Sequence, residues 1–168
     1  MTLSFELASD ADAPALTALH SAVAGELTRV FGEGHWSASA SEASVRRNIA
    51  SSKVIVGRDD EGIAGTLRLT GRKPWAIDVG RFTSAEKVLY LVDMAVRPAS
   101  QRTGVGRQLV EQGRAIATAQ GARAIRLDAY DAPAGAGDFY LKCGFTAAGR
   151  AVFRGVPLLY FELLLPQL

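Results

Sequence analysis

The chain has 168 residues, 48% of them apolar and 21% charged, which is enough for one folded domain with its own core and excludes a disordered chain. Nineteen Lys and Arg against seventeen Asp and Glu leave a formal net charge of +2; the cations are scattered, so no nucleic-acid partner is expected. One cysteine and two histidines exclude an internal disulfide and argue against a metal site of the usual ligand types.

Leu3 to Leu7 alternates apolar and polar residues, the pattern of a short strand. Asp10 or Asp12 then caps a helix with Pro14 in its first turn and Leu16, Leu19, Val23 and Leu27 at helical spacing, ended by Gly32 and Gly34. A second helix is predicted from Ser41 to about Ala50. Lys53 to Arg58 and Ile63 to Leu69 read as antiparallel strands joined through Asp59-Asp60-Glu61-Gly62. Residues 71–86 break both periodicities and form a long loop. Its apolar residues suggest that it folds over something, with Trp75 and Phe82 as anchors, and that it could serve as an acceptor-site lid.

Val88 to Val96 is a near-continuous apolar run, a central strand covered on both faces and ended by Arg97-Pro98. A helix follows from Gly104, with Val105, Leu109, Ile116 and Ala119 on one face, closing at Gly121. Ala124 to Ala129 is another strand. A short helix carries Phe139, Tyr140 and Leu141 and ends at Gly144, and two strands, Phe145–Phe153 and Val156–Leu165, complete the chain. The last is apolar but too short to span a bilayer, and no stretch of about 18 uncharged apolar residues occurs elsewhere. The start lacks the basic and apolar regions of a signal peptide, so a cytoplasmic protein with no membrane partner is expected. The strand-helix-strand unit 88–129 is expected to be parallel and the rest hairpin-like, giving a mixed sheet in a single domain, 1–168.

The turn Gln101-Arg102-Thr103-Gly104-Val105-Gly106 lies between a strand and a helix. Such a turn gathers unpaired backbone amides at the positive end of a helix dipole, and Arg102 and Arg107 add charge, with Arg97 nearby. This is the construction of an anion site, and a diphosphate suits it. A Gly-x-Gly is also found where a glycine merely opens a helix. The Lys-Ser/Thr of a P-loop is absent after Gly104-Val105-Gly106, and Leu109 stands where a dinucleotide fingerprint has its third glycine.

The segment Leu91 to Gly106 closely resembles the core motif of the GCN5-related N-acetyltransferase superfamily, a strand ending in Val, a short loop and Gln/Arg-x-x-Gly-x-Gly/Ala at a helix start. Phe139-Tyr140-Leu141-Lys142-Cys143-Gly144-Phe145 resembles the family's second signature, at the right spacing. The resemblance implies an α/β (α+β) fold, a mixed central sheet of about seven strands splayed between two parallel strands and flanked by about four helices. It implies an acyl-CoA-dependent N-acetyltransferase with acetyl-CoA as cosubstrate and no metal. Backbone groups of Met94, Ala95 and Val96 would hold the acetyl carbonyl and pantetheine arm, and the Gln101 side of the loop, with the amides of Arg102, Thr103, Gly104, Val105, Gly106 and Arg107, the pyrophosphate. The side chains of 94–96 also suit an ordinary core strand.

By the same resemblance Tyr140 is the general acid that protonates the departing thiolate; a buried tyrosine in this position is otherwise simply packed. Asp128 is the first choice of general base and Asp93 the second, although Arg126 offers Asp128 a structural ion pair. Pro133 stands where family members often carry Asn, in a small-residue segment that would admit the cofactor closely. Cys143 reads as a small core residue, and His20 and His35 as surface or helix-end residues. The acceptor is a primary amine, small molecule or peptide, and the protein a monomer or homodimer. A non-catalytic acyl-CoA-binding module, and more distantly a nucleotide-binding protein, are the alternatives.

Overall fold

The computed structural model describes residues 2–167. It contains β1 (Ser4–Leu7), α1 (Ala13–Phe31), α2 (Glu42–Ser51), β2 (Lys53–Asp59), β3 (Gly62–Thr70), β4 (Val88–Val96), α3 (Val105–Ala119), β5 (Ala124–Tyr130), α4 (Gly137–Lys142), β6 (Thr146–Phe153) and β7 (Val156–Leu164). The strands follow one another as β1-β2-β3-β4-β5-β7-β6, the expected mixed sheet of seven. β4 and β5 are parallel, from Val88 opposite Ala124 to Tyr90 opposite Arg126. The pairs β1–β2, β2–β3, β5–β7 and β6–β7 are antiparallel. The chain divides into two compact units, Met1–Leu69 with Val92–Gly113 and Thr70–Leu91 with Arg114–Leu168. Among the described residues no helix is long and apolar enough to cross a membrane.

In the first unit α1 begins with Pro14 in its opening turn and stops where Gly32 takes φ 81°. Asp12 stands at the capping position, but its carboxylate is used elsewhere: it accepts the Ser9 amide at 2.9 Å and pairs with Arg58 at 2.7 Å. Ser41 does cap α2, accepting the Ser44 amide at 3.2 Å. Strand alternation sends Val54 and Val56 into a cluster with Ala13, Leu16 and Val45. In β2 Gly57 lies opposite Gly65 of β3. A Cβ on Gly65 would stand 2.8 Å from Leu109 Cδ1 and 3.1 Å from Val105 Cγ1, so the bare backbone seats the start of α3. The buried face of α3 accordingly differs from the expected one. Val105, Leu109, Val110, Gly113 and Ala117 are buried, Ile116 is only half-buried and Ala119 is exposed. Small residues let the helix lie close to the sheet, as at Gly113 beside Leu67 and Leu69.

In the second unit β7 runs between β5 and β6, and the β6–β7 turn has positive φ at both Arg154 (49°) and Gly155 (81°), the twist that suits a tight hairpin. The 71–86 segment is a strap rather than a free lid. Tyr160 donates its hydroxyl to the Ala76 carbonyl and accepts the Asp78 amide at 3.2 Å. Phe82 stacks on Tyr160, ring centroids 5.3 Å apart, and Arg126 lies 4.8 Å over the Phe82 ring. Ile77 is packed with Tyr90, Leu158 and Tyr160. Trp75 is not an anchor as expected; it is 81% exposed.

Candidate functional site

In the first unit β4 departs from regular strand at Asp93, whose φ is 52°. A non-glycine residue in the left-handed region is strained, and such strain gathers at working sites. Met94 and Val96 are half-buried and Ala95 is buried, so their side chains are those of a core strand. At the end of β4 the Arg97 amide donates to the Ala64 carbonyl at 2.8 Å. The Arg97 guanidinium reaches Asp59 and Glu61, each at 2.8 Å. Its charge is therefore committed to the β2–β3 turn, and Arg97 drops out of the basic cluster expected around the loop.

The loop itself is tied internally. Gln101 Nε2 donates to the Val96 carbonyl at 3.1 Å and the Thr103 hydroxyl to the Ser100 carbonyl at 2.5 Å. Arg102 takes φ 62° and Gly104 φ 92°, which folds the chain back before α3 begins at Val105. The Gln108 amide bonds to the Gly104 carbonyl at 3.1 Å, so the amides ahead of it stand outside the helical ladder. The Val105 side chain is buried, which leaves its amide as its offering. Arg102 and Arg107 are exposed and enter no ion pair among the described residues. Backbone donors, a helix start and two uncommitted guanidiniums fit a diphosphate, the group the sequence implied.

In the second unit α4 holds Tyr140, 7% exposed, against Phe139, Phe145 and Phe161 at centroid distances of 5.2, 5.7 and 6.1 Å. Burial raises its phenol far above the ordinary tyrosine value, with Cys143 and Asp128 adding to the shift. Asp128, half-buried on β5, is likewise raised by burial, against a smaller opposing pull from its own backbone amide. The structure thus brings Asp128 and Tyr140 within electrostatic reach. It does not make the Arg126–Asp128 pair that the sequence left open. Arg126 pairs instead with Glu162, directly across on β7, at 3.1 Å, the two residues 4% and 5% exposed. Asp128 meets no cation among the described residues.

The small residues of 131–137 have a local cause. A Cβ on Gly135 would stand 1.9 Å from the Tyr130 carbonyl oxygen, so the turn itself demands glycine. Cys143 is buried and unoxidised, as expected of a core residue. Asp93 lies in the first unit and is held by Arg68 at 2.8 Å. His35 is exposed in the turn after α1. His20 is not a surface residue: it is half-buried on α1, burial lowers its imidazole pKa, and the Asp93 charge opposes that lowering. Sequence reading passed over it, although it lies four residues after Leu16 and four before Ala24 on the helix's buried side. Among the described residues no group of three or more His, Cys, Asp and Glu gathers as a metal site requires.

Several solved structures share the fold across nearly the whole chain. The structure of yncA from Salmonella typhimurium with its cofactor acetyl-CoA has a TM-score of 0.74 and 17% identity, covering 100% of this chain and 96% of that one. PaiA N-acetyltransferase from Thermoplasma acidophilum in complex with coenzyme A has a TM-score of 0.76 and 15% identity, covering 98% and 99%. The ribosomal-protein-S18-alanine N-acetyltransferase of Escherichia coli has a TM-score of 0.72 and 16% identity, covering 99% and 96%. No curated protein matches the sequence. The family model described as acetyltransferase (GNAT) family matches residues 22–145, well over half of the chain. With that match added to the phosphate turn and the aromatic-ringed tyrosine, the chain belongs to the GNAT acetyltransferase family and is an acyl-CoA-dependent acyltransferase.

Proposed function

We propose that this protein, acting as one catalytic domain over 1–168, transfers an acetyl group from acetyl-CoA to a primary amine of a small molecule or peptide by direct attack. The observation that carries the reading is the Gln101–Arg107 loop. It offers unpaired amides, the positive end of α3 and two guanidiniums without acidic partners. The amides of Arg102 to Arg107 and the Gln101 side of the turn would hold the pyrophosphate. Backbone groups of Met94, Ala95 and Val96 would hold the pantetheine and polarise the thioester carbonyl. When bound, the thioester supplies an activated acetyl group.

Tyr140 gives its proton to the leaving sulfur, and Asp128 takes one from the acceptor nitrogen. The raised phenol looks at first too weak an acid for a thiolate. The same desolvation that raises Tyr140 also raises a thiol buried beside it, so the two remain comparable. Asp128, raised toward the working pH, is better matched as a base than an exposed carboxylate.

The experiment is a melting-temperature measurement with acetyl-CoA and with ATP, followed by thiol release against a panel of amines. Acetyl-CoA should raise the melting temperature and ATP should not. Tyr140→Phe should keep acetyl-CoA affinity while turnover falls about 100-fold. A wild-type chain that binds acetyl-CoA but releases thiol with no amine would instead be an acyl-CoA-binding module.

A further inference from the structure

α1 turns Ala13, Leu16, Leu19 and Ala24 inward. His20 sits on that same side, a polar ring in an apolar stripe, and it has no hydrogen-bond partner among the described residues. The nearest charge acting on it is the Asp93 carboxylate. Asp93 is the strained residue of β4, immediately before Met94, and Arg68 of β3 holds its Oδ2 through Nε at 2.8 Å. Arg68 is itself steadied by the Ser52 hydroxyl at 3.5 Å. A kink in the strand, a guanidinium that fixes the carboxylate and an imidazole left unbonded beside it are three independent features of one place. Packing alone explains none of them.

The other charged groups on the elements packed against α1 are engaged elsewhere or have no effect on the ring. Asp10 and Glu42 pair with Arg46, and Asp12 pairs with Arg58. Arg47 and His35 exert no resolved pull on the ring; Asp93 does.

We propose that His20 removes the proton from the incoming acceptor ammonium, with Asp93 as the positioning residue for its ring and Arg68 fixing Asp93. This rests on the acetyl-transfer reading of the same site. The acceptor nitrogen sheds two protons in all. His20 takes the first and returns it to solvent, which frees the nitrogen lone pair. The nitrogen–carbon bond then forms and the carbon–sulfur bond breaks. Asp128 takes the second proton, Tyr140 supplies one to the sulfur, and Asp128 restores Tyr140. One proton is released to solvent per turnover, as the overall reaction requires. Burial favours the neutral imidazole, the form a base needs at neutral pH, and Asp93 keeps its basicity from falling too far.

The first test follows the histidine ring signals of the full chain by NMR across pH, with His35→Gln for assignment. His20 should titrate below the ordinary value of about 6.5, and Asp93→Asn should lower it further. A midpoint unmoved by Asp93→Asn would overturn the proposal. The second test measures acetyl transfer to spermidine, benzylamine and L-phenylalanine. In His20→Gln the kcat/KM for the amine should fall about 100-fold at neutral pH. The loss should shrink as the pH approaches the amine's own pKa, and acetyl-CoA affinity should be unchanged. A rate equal to wild type, or a loss independent of pH, would overturn it. If the wild-type chain binds acetyl-CoA yet acetylates none of the three amines, the functional reading fails, and the role of His20 fails with it. A wild type that is active beside an equally active His20→Gln refutes the histidine alone.

Discussion

Arg97 and Asp59 meet at 2.8 Å, and the pair ties the last residue of β4 to the β2–β3 turn, with the Asp59 side chain 5% exposed. The residue that leads into the phosphate turn is therefore anchored by charge as well as by its amide bond to Ala64. Asp59→Ala strands a partly buried guanidinium and should lower stability by about 1–3 kcal/mol. A urea midpoint checks this. Acetyl-CoA affinity should weaken in the same variant, because the turn loses its upstream anchor.

Arg102→Ala and Arg107→Ala should each weaken coenzyme A binding by about 1.5 kcal/mol, roughly tenfold. Pantetheine, which lacks the diphosphate, should bind both variants as it binds the wild type. Calorimetric titration with the two ligands measures the difference.

Asp128→Asn should stabilise the protein at neutral pH while lowering its turnover. Burial raises the Asp128 carboxyl in the folded state above its unfolded value. The fold therefore favours the protonated form. That stability is fully present below the unfolded value of about 3.9 and is lost as the pH rises through the higher folded value. Wild type and Asp128→Asn should melt alike at strongly acidic pH, and the variant should melt higher at pH 7.

Arg126 and Glu162 give a different test of charge burial. Replacing either alone with Leu leaves an unpaired buried charge and should destabilise by about 3–5 kcal/mol, whereas the double Leu variant should recover most of that. The Thr83 amide and carbonyl, which bond to Glu162 and Arg126, lose their partners too. The recovery should therefore be incomplete, and hydrogen exchange should quicken around Thr83.

Much of the fold was legible because its signals are local. Pro14 and Gly32 bracket α1, Ser41 caps α2, and the apolar run of Val88–Val96 announces an inner strand. The phosphate turn was legible for the same reason, since Gly104 needs its positive φ whatever surrounds it. What escaped depends on contacts distant in sequence. His20 differs from any polar helix residue only through Asp93, and Asp93 matters only because β4 kinks there. Arg97 looked like a phosphate ligand because Asp59, thirty-eight residues earlier, could not be seen to claim it. Glu162 likewise took Arg126 away from Asp128 by strand register alone. Trp75 was misjudged because apolar character does not distinguish an anchor from an exposed ring.

The paired glycines 57 and 65 belong to no motif, yet they decide how near the sheet α3 can start. Gly65→Val should push Leu109 and Val105 outward and cost about 1–3 kcal/mol, with Leu109→Ala recovering part of it. Affinity for the coenzyme is in this sense encoded some forty residues upstream of the residues that touch it. Moving Gln101–Arg107 alone onto another scaffold would carry over the ligands without their foundation. The graft should bind coenzyme A only where two facing backbones leave the same gap.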